Sequence, residues 1–300
     1  MTASLVRRQP PHVAPAAHAD AEARARDWAE IQERMFVPLH EAVYERLDVG
    51  PDTRLLDLRC GAGLALLLAA ARGAAVTGTD PSPGLLALAR ERLRPPHGGA
   101  PRAELLLGPP ADAGTGTGTG PRTGTGTRTG TVTTEPIGSY DLITALDPIR
   151  CPSGDPQALA ALLARALPRT APGTAVVLAG WGPQERCATS TVLRVAAKLA
   201  DPLRGNSGWR PPRRDDLEEA AQRAGLRPDG SGRVSCPFGY ADPDSAVRGL
   251  LSTGLFDAAI AATDAEQVDK ELTEALHPYR RADGTVWMPN VFRYLIARVP

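Results

Sequence analysis

Short apolar runs and stretches of helical period alternate along the chain. Thr53–Leu58, "TRLLDL", is a brief apolar run that breaks into a glycine-rich turn, and it predicts a strand. "LALLLAAARG" follows and predicts a helix ended by Gly73. The pair repeats as "AAVTGTD", a strand, and "PGLLALARERL", a helix. "AELLLG" and "YDLITAL" predict two further strands. "DPQALAALLARAL" places apolar residues at helical spacing, and "GTAVVLAGW" predicts a fifth strand. Alternation of this kind predicts an α/β protein, a parallel sheet with helices on both faces.

The flanks read differently. Residues 1–21 are rich in Ala, Pro and His without periodicity and are expected to form a disordered arm. From Glu22 to Leu47 the pattern is helical, with Trp28, Ile31, Met35 and Phe36 near one face and a second helix after Pro38. Beyond the fifth strand come helices at "CATSTVLRVAAKLA" and "DDLEEAAQRAGL" and a sixth strand at "GRVSCPFGY". Helical stretches near Asp244–Leu251 and Asp264–Leu276 precede a closing strand, "NVFRYLIARV". The Gly/Thr tract at 114–134 offers nothing to bury and reads as a flexible surface insertion. It has no lysine and no following helix, so it does not read as a phosphate cradle.

Composition narrows the partners. The chain has 300 residues, room for one large domain with an added cap. Lysine plus arginine is 34 and aspartate plus glutamate is 34, which argues against a nucleic-acid binder. Cys60, Cys151, Cys187 and Cys236 lie far apart, without metal-ligand spacing, and read as reduced thiols of a cytoplasmic protein. No secretory signal and no apolar run of membrane-spanning length is seen, so no membrane partner is expected.

Two motifs carry chemistry. The first is Asp57-Leu58-Arg59-Cys60-Gly61-Ala62-Gly63, an acid inside a strand followed by a glycine loop that opens a helix at Leu64. Glycines let a ligand lie against bare backbone, and the helix aims its first amides at that ligand. The second is "VTGTDPSPGLL", where Asp80 closes the second strand. A carboxylate there suits the two hydroxyls of a ribose, and it also suits the N-cap of the helix after Pro81.

This order and these motifs resemble the class I S-adenosylmethionine-dependent methyltransferases, and more narrowly the methyltransferase type 11/UbiE-like group acting on small molecules. The resemblance runs from Arg26 to Arg298 outside the Gly/Thr tract. It implies a Rossmann-like, doubly wound seven-stranded sheet whose last strand pair is antiparallel, formed by "GRVSCPFGY" and "NVFRYLIARV". It implies one methyltransferase domain over 22–300, with a helical cap at 242–279 covering the acceptor. The implied cofactor is S-adenosyl-L-methionine, held by Asp57, Arg59, Cys60, Gly61, Gly63, Asp80, Pro81, Asp112 and Leu146. A nicotinamide-dependent reductase is disfavoured, because its third glycine falls at Leu66.

The sequence departs from the family at three points. Arg59 stands at the first glycine of the loop. It turns to solvent or a nearby acid, meets the cofactor carboxylate as a charge-assisted pair, or blocks the site. Pro109 replaces the acid that relatives carry after the third strand, and Asp112 is the nearest substitute. The Gly/Thr tract is inserted just beyond. Asp147 and Trp181 border the expected cleft, Trp181 as wall or as a stacking platform. His40, Tyr44, His277 and Tyr279 are the groups weighed as a general base, and none is assigned. The expected function is methyl transfer to a small organic acceptor. The alternative is a methyltransferase fold kept as a binding or scaffolding module, with a cofactor site impaired at Arg59 and Pro109.

Overall fold

A computed structural model describes residues 15–94, 103–110, 140–146, 155–200 and 213–300. Strands β1 (Arg54–Leu58), β2 (Ala75–Asp80), β3 (Ala103–Leu107), β4 (Tyr140–Ala145) and β5 (Thr170–Trp181) pair in parallel. Two more strands, β6 (Arg227–Ser235) and β9 (Val291–Arg298), complete a seven-stranded sheet of order β3-β2-β1-β4-β5-β9-β6. β9 runs antiparallel to both neighbours. The doubly wound sheet with an antiparallel closing strand is thus observed.

The period-two pattern of the strands sorts their side chains onto two core layers. Val177 and Ala179 of β5 join one layer, and Val176 and Leu178 join the other. Helices α3 (Leu64–Ala71) and α4 (Pro83–Arg92) cover the first layer. Helices α5 (Asp155–Ala166) and α7 (Asp216–Arg223) cover the second. Helices α6 (Thr189–Leu199), α8 (Pro243–Ser252), α9 (Asp257–Ala262) and α10 (Ala265–Leu276) extend the first layer beyond the sheet. Asp242 and Asp264 cap α8 and α10 by accepting from the Ser245 and Gln267 amides at 2.7 and 2.8 Å.

The chain departs from the sequence reading in three places. Helix α1 (Pro15–Asp27) begins inside the expected arm, whose first fourteen residues lie outside the described ones. From there the backbone stays helical through a π turn (Trp28–Gln32), a 3-10 turn (Glu33–Phe36) and α2 (Val37–Arg46). Pro38 does not break it, because it sits in the first turn of α2, where no amide donor is needed. Third, the expected sixth strand is split. β6 starts at Arg227, and Phe238–Tyr240 forms β7, which pairs with β8 (Val286–Met288) in a separate two-stranded sheet. Pro237 lacks an amide and cannot continue the ladder. The Gly/Thr tract, Asp112, Asp147 and Cys151 lie outside the described residues.

Candidate functional site

The glycine loop sits at the carboxyl end of β1, where open α/β sheets hold ligands. Arg59 adopts φ 63°, Gly61 φ 58° and Gly63 φ 80°. Left-handed backbone is ordinary for glycine and uncommon for arginine. So Arg59 has kept the loop's shape while adding a side chain to it. Its neighbours hold it there. The Cys60 amide donates to the Thr79 carbonyl at 3.0 Å, and the Gly63 amide donates to the Cys60 carbonyl at 3.0 Å.

Asp80 is the staple of this loop. Its carboxylate accepts from the Gly61 amide at 3.0 Å and from the Ser82 amide at 2.8 Å, and the residue is buried. It does not cap α4. Ser82 does, accepting from the Leu85 amide at 3.3 Å. Asp57 lies across β1 from Thr144 of β4, whose hydroxyl donates to it at 2.7 Å. Both acids are thus buried and held in place before any ligand arrives.

The two loop glycines make room for different things. A Cβ on Gly63 would lie 2.9 Å from the Ala89 methyl, so this glycine admits α4 against the start of α3. A Cβ on Gly61 would meet Trp28 Nε1 at 3.0 Å and Glu33 Oε1 at 3.1 Å. The segment between α1 and α2 therefore lies directly on the loop. Glu33 is buried there. It accepts from the Leu64 amide at 3.3 Å, at the start of α3, and pairs with Arg92. Arg92 also donates to the Ala62 carbonyl at 2.8 Å. Burial raises the Glu33 pKa, and the Arg92 charge opposes the rise.

One face of this covering segment runs Trp28, Gln32, Phe36, His40, all buried. Among the described residues, Trp28 Nε1, Gln32 Nε2 and His40 Nδ1 have no hydrogen-bond partner. Buried polar atoms are rarely left unpaired, so three on one stripe call for a ligand or water. Beneath the stripe is a small cavity of about 20 Å³ bordered by Trp28, His40, Asp57, Arg59, Gly61 and Leu146. Arg59 also borders a second, more open cavity of about 220 Å³, with Thr79, Pro81, Gly108, Pro109 and Leu162. It therefore lines both cavities. No hydrogen bond or ion pair holds its guanidinium among the described residues.

The remaining groups differ in their surroundings. Burial pushes the His40 pKa down to about 4, which keeps the ring neutral at pH 7. Tyr44 donates to the Ala65 carbonyl at 3.0 Å and is a structural tie. Tyr279 bonds to Thr191 and Ala188 along a different surface cleft. Cys60 is a buried thiol, pushed up by burial first and by Asp57 and Asp80 next. Trp181 packs with Phe292 and Phe238, at ring-centroid distances of 4.6 and 5.9 Å. Gln32, Glu33 and Arg92 are site residues that the sequence reading did not single out. Among the described residues no group of metal-binding side chains occurs, and no helix is long and apolar enough to cross a membrane.

Residues 56–108, which hold both motifs, match the model of a methyltransferase domain family. A Geobacter sulfurreducens S-adenosylmethionine-dependent methyltransferase, solved with S-adenosyl-L-homocysteine, superposes with a TM-score of 0.50 at 17% identity. That superposition covers 93% of this chain and 98% of the other. The chain has a class I methyltransferase fold. A Bacillus halodurans protein classed among methyltransferases shares the methyltransferase fold at TM-score 0.50 and 14% identity, covering 87% of this chain and 98% of that one. No curated protein matches the sequence. Within the methyltransferase fold, the loop, Asp57 and Asp80 occupy the carboxyl edge of the sheet, and the α1–α2 segment roofs it.

Proposed function

We propose that the chain carries out S-adenosylmethionine-dependent methyl transfer to a small organic acceptor. The carrying observation is one cavity at which Asp57, Arg59 and Gly61 meet Trp28 and His40, whose Nε1 and Nδ1 are unpartnered among the described residues, with Asp80 fixing the loop. The donor set fits the cofactor's amino-acid end. Carboxylates suit an ammonium, and Arg59, Trp28 Nε1 and His40 Nδ1 suit a carboxylate. Asp57, Asp80, Gly61, Arg59, Cys60 and Leu146 would hold it, with Pro81 beside the 220 Å³ cavity.

When bound, the cofactor supplies an activated methyl group. The chain's own contribution is to orient and to exclude water. The Trp28–Phe36 roof would shield the bound cofactor from water, and the apolar layer behind it would keep an acceptor dry. A pocket for a ligand of this size commonly measures about 300 to 1,000 Å³. The roof must therefore lift for the cofactor to enter a cavity of about 20 Å³. The balanced charge and the cap support a small-molecule acceptor over a nucleic acid or membrane, and a cytoplasmic location belongs to the same reading.

The tight cover over Gly61 favours a second reading, a methyltransferase fold retained for binding alone, with Arg59 as its plug. Transfer of a labelled methyl group from S-adenosylmethionine to a panel of phenols and amines separates the two. Label in product supports catalysis, and label retained by the donor with every acceptor favours the binding module.

A further inference from the structure

Behind the roof lies a third cavity, of about 30 Å³, bordered by Trp28, Gln32, Phe36, Trp181, Thr189 and Phe238. It shares Trp28 and Phe36 with the cofactor-side cavity. Its walls are almost wholly apolar, and aromatic rings stand edge-on around it. Phe36 meets Phe238 at 5.8 Å and an interplanar angle of 87°.

Three polar residues border it, and the hydroxyls of two, Thr189 and Thr253, already donate to Met288 Sδ and the Leu250 carbonyl. Gln32 is fully buried, and the Tyr240 hydroxyl donates to its Oε1 at 2.9 Å. That bond fixes the amide and leaves Nε2 as a donor with no partner. Gly249 is packed behind it, where a Cβ would lie 3.2 Å from Gln32 Oε1 and 2.9 Å from Tyr240. The amide is thus clamped from behind, with its open end at an apolar cavity. No Lys, Arg, Asp or Glu borders that cavity.

We infer that this cavity is the acceptor site and that it takes a neutral, planar, aromatic molecule bearing one oxygen, which Gln32 Nε2 recognises by donating a hydrogen bond. The inference rests on the methyl-transfer reading for the word acceptor. Recognition itself depends only on the cavity. A donor clamped in an apolar wall discriminates strongly, because a ligand without an oxygen leaves it unpaired.

Equilibrium dialysis of the full chain with 2-naphthol and with naphthalene tests it, in the absence of S-adenosylmethionine. The wild type is expected to prefer 2-naphthol by about tenfold, or about 1.4 kcal/mol. Gln32→Met should bring that preference close to one while naphthalene binding stays. Should Gln32→Met fail to fold, Tyr240→Phe decides, since it frees the amide and should lower the preference severalfold. An unchanged preference in the variant, or no binding of either probe to the wild type, overturns the inference; the latter would leave Gln32 with a trapped water only. A parallel titration with S-adenosylhomocysteine separates the readings. Selective naphthol binding without cofactor binding contradicts methyl transfer alone, and cofactor binding without naphthol selectivity contradicts this inference alone.

Discussion

Glu33 and His40 are the buried titratable residues of the roof, and each makes a measurable claim. Glu33 joins the α1–α2 segment to α3 and α4 through the Leu64 amide and Arg92. Removing one member of a buried pair leaves the other charge uncompensated. Glu33→Ala should therefore cost about 3 kcal/mol in urea unfolding, and Glu33→Ala with Arg92→Ala less than the sum of the two single changes. His40 is held neutral by burial, with its pKa at about 4 against 6.5 for an ordinary histidine. The unfolded chain binds the proton first, so this residue's contribution is complete above pH 6.5 and is lost as the pH falls to about 4. The loss amounts to about 3 kcal/mol by the usual conversion. In pH-dependent unfolding, His40→Gln should flatten that slope, and an unchanged slope would contradict a neutral buried ring. Neither role was legible in the sequence, because Glu33 finds Arg92 through folding and not through spacing. Gln32 did carry a signal, since a polar residue four positions from Trp28 and four from Phe36 interrupts an apolar stripe.

At the scale of elements, the alternation of strands and helices was readable because each face of the sheet imposes its own period. The contacts between elements were less so. Gly78 of β2 shows why. A Cβ there would lie 2.5 Å from Leu66 and 2.7 Å from the Cys60 sulfur. Close packing of α3 on the sheet is thus achieved by a strand glycine opposite a helix leucine, so Leu66 stands where a dinucleotide-binding fingerprint has its third glycine. Gly78→Ala should overpack this contact and cost about 1 to 3 kcal/mol. Gly230→Ala on the edge strand meets nothing within 4 Å and should leave unfolding nearly unchanged. Equal effects at the two sites would contradict the packing assignment. The split of β6 and β7 was marked by Pro237, but the partner strand β8 was missed, since Val286–Met288 is too short to show a period.

For the whole molecule, the sheet order, the two motifs and the roof converge on the carboxyl edge of the sheet, where Arg59 lines two cavities. The motif was legible as a strand-tip turn, because Gly61 and Gly63 follow an acid-bearing strand; that Asp80 staples the loop and Gly63 makes room for Ala89 was not. How tightly the roof lies on Gly61 was not, because that contact joins segments about thirty residues apart. We propose that this site binds S-adenosylmethionine with Arg59 as a tolerated, carboxylate-facing residue, once the roof lifts. Calorimetric titration of the wild type and Arg59→Gly with S-adenosylmethionine and S-adenosylhomocysteine tests this most directly. The account predicts micromolar binding by the wild type and about tenfold weaker binding by Arg59→Gly, which loses a charge-assisted contact. No binding by the wild type, with binding gained in Arg59→Gly, would contradict it and make the arginine a plug in a methyltransferase fold.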